Sequence, residues 1–243
     1  MIELNQKSDY EGCLICGEEL ISFSKSVDMH CVFCGKTEQA TSHCNQMHFV
    51  CDDCQHLSAT DVVKSICLKS TKHDPISLAV EIMRSPAIKM HGPEHHFMVP
   101  AVLLTCVNNK YHNVENLAEK IDLAERIAHE RVPICSYDLK MCGASIGTGV
   151  FLELYEGLDT HYEDEWSLPN QMIAASLKKI GENKGPRCCK RDTYISLQGA
   201  VDFLYEKFAI ELPRSEAKCT FSLRNNSCMR EECNFYNIGF SLV

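Results

Sequence analysis

"HCNQMHFVCDDCQH", residues 43–56, packs three cysteines and three histidines into fourteen residues. It follows two earlier Cys-x-x-Cys pairs, Cys13/Cys16 in "CLICGEE" and Cys31/Cys34 in "CVFCGKTE". A Cys-x-x-Cys-Gly turn lets both thiolates reach one ion, and the glycine relieves the tight turn that follows. Two arrangements of the same eight ligands are open. In one, the two knuckles close a four-cysteine ribbon, and Cys44, His48, Cys51 and Cys54 form a second site. In the other, Cys31 and Cys34 pair with Cys51 and Cys54 in a treble-clef layout: a knuckle, a short hairpin, then a Cys-x-x-Cys leading into a helix. Cys13 and Cys16 then take Cys44 and His48, which gives a cross-brace. The cross-brace is preferred because a helical pattern begins just after Cys54. Zinc fits either version, since a structural zinc ion wants four nitrogen or sulfur ligands in a closed tetrahedron. His43 and His56 are left over. So small a module should be unfolded without its metal.

The whole chain has 243 residues, 45% apolar and 23% charged, with 16 cysteines. Such a length fits a small module plus one medium domain. No uncharged apolar run approaches the roughly 18 residues of a membrane span, so no membrane association is expected. The start, "MIELNQKSDYEG", has neither a basic segment nor an apolar one, which places the protein in the cytoplasm by expectation. There, cysteines serve metals or redox chemistry more often than disulfides. With 24 basic against 33 acidic residues the net charge is -9, which disfavours general nucleic-acid binding.

Past residue 57 the texture changes. "SATDVVKSICLKS" offers Ser58 or Thr60 as an N-cap and sets Val62, Val63, Ile66 and Cys67 at helical spacing. Further helices are predicted near 75–85, with Pro75 in the first turn, and near 98–107, 113–131, 144–157, 167–181 and 193–209. The predicted fold is therefore α+β: a zinc-binding treble-clef or cross-brace module over 1–57, followed by a mostly α-helical, cysteine-rich domain over 58–243. Gly- and Pro-containing stretches such as "MHGPEHH", "ERVPICS" and "ENKGPRCCKR" read as loops where ligands can converge.

Four constellations in the second part carry chemistry. "HGPEHH" supplies His91, Glu94, His95 and His96, three imidazoles and a carboxylate suited to a divalent metal or a general base and candidates for catalysis. "PICSYDLKMCGASIGTG" places Cys135 and Cys142 ahead of Gly143, Gly147 and Gly149, where close helix packing or an anion at a helix start are both admissible. "KGPRCCKRD" surrounds the vicinal Cys188 and Cys189 with Lys184, Arg187, Lys190 and Arg191, a set that can lower thiol pKa values or hold an anionic substrate. Near the end, Cys219, Cys228 and Cys233 are spaced C-x8-C-x4-C in a polar tail with no evident core to pack into. With a cysteine from the 188/189 or 135/142 pair they would make four thiolates for an iron–sulfur cluster or another metal. Cys67 and Cys106 read as core, and "DTHYEDEW" (159–166) as a solvated loop.

The ordered set "HGPEHH", "CGASIGTGVF", "GPRCCKR" and the C-x8-C-x4-C tail resembles a cysteine-rich domain of unknown function from archaea and anaerobic bacteria. That domain is also joined to radical-SAM or SAM-dependent methyltransferase modules. The resemblance covers roughly residues 60–240 and implies anaerobic metal chemistry or service to a SAM enzyme, without assigning a catalytic residue. No radical-SAM C-x3-C-x2-C motif is present. The leading expectation is a metal-binding protein with two structural zinc ions, a second metal or iron–sulfur site in the helical domain, and a protein partner. The rivals are a hydrolase- or lyase-type metalloenzyme acting on a small anionic substrate, and a purely structural zinc interaction protein.

Overall fold

The computed structural model describes residues 12, 13, 15, 18–135, 141–158 and 163–237, with side chains from 165 onward in the last stretch. Cys16 and His161 lie outside the described residues. The architecture is α+β, a two-stranded sheet in the amino-terminal part followed by a helical region.

Strands β1 (Ile21–His30) and β2 (Thr37–His43) pair antiparallel, Ile21 opposite His43 and His30 opposite Thr37, with an irregularity between Ser22 and Val27. Most of their side chains are exposed; Met29 and Ala40 are the buried ones. The ribbon is thus too thinly covered to stand by its own packing. Its tip is the Cys31–Cys34 turn, which the Gly35 N–H closes onto the Cys31 carbonyl at 2.9 Å. Gly35 sits at φ +74°, the left-handed region that a glycine enters without strain. The knuckle therefore forms the hairpin loop, where the sequence reading set it ahead of a hairpin.

A short helix, α1 (Asp52–Gln55), follows, and α2 (Ala59–Lys69) starts at Ser58, whose Oγ accepts the Asp61 N–H at 3.1 Å. Val62, Val63 and Cys67 are buried as their spacing predicts. Helix α3 (Pro75–Met83) opens with Pro75 after the N-cap Asp74. Helices α4 (Glu94–Tyr111), α5 (Leu117–Arg131), α6 (Gly143–Glu156), α7 (Glu163–Glu182) and α8 (Cys189–Phe208) complete the region.

Helix α4 is the central element. Its buried residues run unbroken from His95 to Val107, as befits a helix walled on all sides, and it packs against α2, α3, α5, α6 and α8. The core around it draws on every helix from α2 to α8.

Four helix starts, those of α4, α5, α7 and α8, lie four residues from the sequence reading, and two of them move chemistry out of loops. The α4 helix begins at Glu94 rather than near 98, so His95 and His96 are helical and Pro100 is interior. A proline there removes the N–H that would bind the carbonyl four residues back, that of His96. That carbonyl turns to α6: a Cβ on Gly147 would come within 2.5 Å of it. Helix α8 begins at Cys189 rather than near 193, because Lys190, Arg191 and Asp192 are buried helical residues and not a basic loop. The tail is a further correction. Phe221 (0% exposed) and Phe235 (9%) anchor it in the main core, and Cys219 and Cys233 pack against that core. The aromatic residues supply the burial that the polar composition hides.

Among the described residues, no helix is long and apolar enough to cross a membrane.

Candidate metal centres

At the amino-terminal end, the sulfurs of Cys31, Cys34, Cys51 and Cys54 all lie within 4.8 Å of one another, with Cys34 and Cys51 at 3.6 Å. Four thiolates tetrahedral about an ion at 2.3 Å stand about 3.8 Å apart. The knuckle turn delivers the first two; α1 delivers the others, Cys51 as its N-cap and Cys54 on its buried side. Val32 N–H bonds the Phe49 carbonyl at 3.0 Å and ties the two segments. Burial disfavours ionisation of Cys31, yet backbone N–H groups of Cys34, Cys51 and Phe33 bring its thiol down to about 6. Burial pushes Cys51 and Cys54 up. Four thiolates here need a cation's charge to coexist. The cysteine tetrad can therefore bind a metal ion.

A second set gathers Cys13, Cys44 and His48 within the same 4.8 Å. His48 Nδ1 is 3.4 Å from the Cys44 sulfur and 3.7 Å from that of Cys13. Burial lowers the pKa of His48, which keeps its ring in the neutral form that ligates. Along the chain the two sets interleave. His43 and His56 are engaged elsewhere: the Nδ1 of each bonds a backbone carbonyl, that of Cys44 and of Asp52 respectively, both at 2.7 Å.

In the helical region the predicted residues sort differently from their order in sequence. Cys188, Cys219, Cys228 and Cys233 line one pocket, together with Tyr194 and Phe221. Backbone N–H groups of Phe221 and Arg230 donate to the sulfurs of Cys219 and Cys228, each at 3.4 Å, and Asn225 Nδ2 donates to that of Cys188 at 3.7 Å. Burial first, then the nearness of Cys188, Cys228 and Cys233, pushes the Cys219 thiol up to about 12. Cys189 faces the other way, its sulfur 3.4 Å from that of Cys135 in a cavity of about 270 Å³ also lined by His95, His96 and Cys142. The side-chain contact with Cys189 lowers the Cys135 thiol to about 4 against the pull of burial, helped by His96 and Arg187. Among the described residues, only the two amino-terminal sets draw every donor within 4.8 Å.

The "HGPEHH" groups do not form one set. His95 and His96 face the 270 Å³ cavity, while Glu94 accepts the Lys89 N–H at 2.8 Å and His91 turns to Asn225. Nor do the four cations form one anion pocket. Lys190 is 1% exposed, donates to the Ile88 carbonyl at 3.1 Å and lies over the Phe221 ring, whereas Arg191 pairs with Asp192 at 3.0 Å. Arg187 donates to the Cys135 carbonyl at 2.6 Å and to its sulfur at 3.3 Å, and Lys184 is exposed. Gly143 and Gly147 serve the packing of α6 on α4, and Gly149 that on α7. Sequence reasoning missed the split between the adjacent Cys188 and Cys189. The available signal was their position at a helix start, where the N-cap and the first helical residue project in different directions.

Fold and site together define a cysteine-rich helical protein with an amino-terminal cysteine tetrad able to hold a metal. The chain belongs to a family of unknown function (DUF5714), whose model matches residues 63–236. Comparison with curated proteins and with solved structures gave no match.

Proposed function

We propose that the protein is a metal-binding accessory of a SAM-dependent or other anaerobic modification system, acting in the cytoplasm. The observation that carries the metal reading is the convergence of the Cys31, Cys34, Cys51 and Cys54 sulfurs within 4.8 Å. Zinc suits this all-sulfur set and also the set of Cys13, Cys44 and His48, to which Cys16 would add the fourth ligand. The amino-terminal module, residues 1–57, then serves as a docking element for a protein partner. In the domain over 58–243, Cys188, Cys219, Cys228 and Cys233 would hold an iron–sulfur cluster. The four cysteines line one pocket without their sulfurs closing to the spacing of a single ion, and N–H donors already point at three of those sulfurs. The link to a SAM-dependent system is supported by the resemblance of the motif set alone.

Anaerobic purification of the full chain, with analysis of zinc, iron and acid-labile sulfide, tests this reading. At least two zinc ions, one for each amino-terminal set, with iron and sulfide and a broad visible absorbance, are expected. Zinc without iron or sulfide would sink the cluster and favour a purely structural interaction protein. No zinc at all would sink the whole reading.

A further inference from the structure

The cavity behind Cys189 carries a separate feature. His96 is held by a hydrogen bond between its Nδ1 and the Val132 carbonyl at 3.0 Å, and His95 by one between its Nδ1 and the Gly92 carbonyl, also at 3.0 Å. A carbonyl oxygen only accepts, so in both rings Nδ1 carries a hydrogen, and the neutral form of each ring has its lone pair on Nε2. This is how metal-binding imidazoles are oriented in proteins. The lone pair of His95 has no partner: its Nε2 is buried without a hydrogen bond, in a side chain 1% exposed. This unsatisfied buried acceptor belongs to the lining of the cavity that His96, Cys135 and Cys189 also line. The two sulfurs are already 3.4 Å apart, within the spacing of thiolates on one ion.

We propose that His95, His96, Cys135 and Cys189 form a binding site for a single borderline-soft divalent transition-metal ion, with zinc the simplest occupant. Two imidazoles and two thiolates are a donor set for such an ion, and loading draws the donors together around it. The site stands apart from the metal centres already described. Cys189 belongs to it, while the preceding Cys188 lines the pocket on the other side. It also replaces the predicted combination of His91, Glu94, His95 and His96. Two of those groups stay, and two cysteines from distant segments take the place of the others.

The test is differential alkylation of the unaltered full chain, read residue by residue by mass spectrometry with and without added zinc. Zinc should shield Cys135 and Cys189 from the reagent; equal labelling of both in the two conditions would overturn the proposal. Shielding at Cys31, Cys34, Cys51 and Cys54 reports the amino-terminal site in the same experiment, so the two readings fail separately. A cobalt(II) titration adds a count. Cys135→Ser, in a half-exposed segment, should bind one ion fewer per chain than the unaltered protein, and His95→Gln should do the same. Unchanged end points in both folded variants would overturn the proposal.

Discussion

The imidazole of His96 occupies the space that a side chain at residue 143 would need: a Cβ on Gly143 would come within 2.5 Å of three of its ring carbons. Gly143→Ala therefore cannot be accommodated without moving the ring or separating α6 from α4. Overpacking of this kind costs about 1–3 kcal/mol, which urea unfolding will register. The same variant should weaken cobalt binding in the His96 cavity while leaving the amino-terminal tetrad unaffected.

The adjacent cysteines at the start of α8 should behave as members of different sites. Cys188→Ser is expected to lower iron and sulfide content and to leave the zinc-dependent shielding of Cys135 intact. Cys189→Ser should do the reverse. If both variants lose the same element, the division between the pockets is wrong.

Removing metal with a chelator should unfold one part of the chain. The buried residues of the hairpin region are mostly the cysteines themselves, with Met29, Ala40 and Val50, and such a core cannot stand without the ion. Hydrogen exchange should accelerate through β1 and β2 and remain slow in the walled-in helix α4. Equal acceleration in both would show that the helical domain also depends on the chelated metal.

Cys67 gives a pH signature away from every metal candidate. Burial raises its thiol to about 12. A group with a raised folded pKa contributes stability that is complete below the unfolded value, near 9, and is lost as pH climbs toward 12. The stability advantage of the unaltered chain over Cys67→Val, two side chains of similar volume, should therefore shrink across that window. At neutral pH the folded protein should resist alkylation at Cys67; rapid labelling there would contradict its burial.

Much of this was legible because apolar spacing and capping act locally. Ser58 and Asp74 mark the starts of α2 and α3 by the hydrogen bonds their side chains accept, and the thiols of residues 31–54 sit close in sequence to their partners. What failed depended on distant groups. A helix start near 98 was expected, whereas Pro100 lies inside α4, with Gly147 of α6 close against the carbonyl that its missing N–H leaves free. The Gly and Pro of "ENKGPRCCKR" suggested a loop running through the charged residues. Only the Ile88 carbonyl and the Phe221 ring, brought from elsewhere, make Lys190 a buried residue. The sorting of cysteines between two pockets has the same origin, since Cys135 meets Cys189 across 54 positions.

The interleaving of the two amino-terminal sets also has a kinetic consequence. Each set ties together segments that straddle a ligand pair of the other, so neither forms from a contiguous stretch. Whichever set captures an ion first shortens the free chain that the other has to close, and loop-closure entropy falls with that length. With both sets loaded as proposed, the second ion would meet a partly assembled cage, which tilts the module toward the doubly loaded form over the singly loaded one.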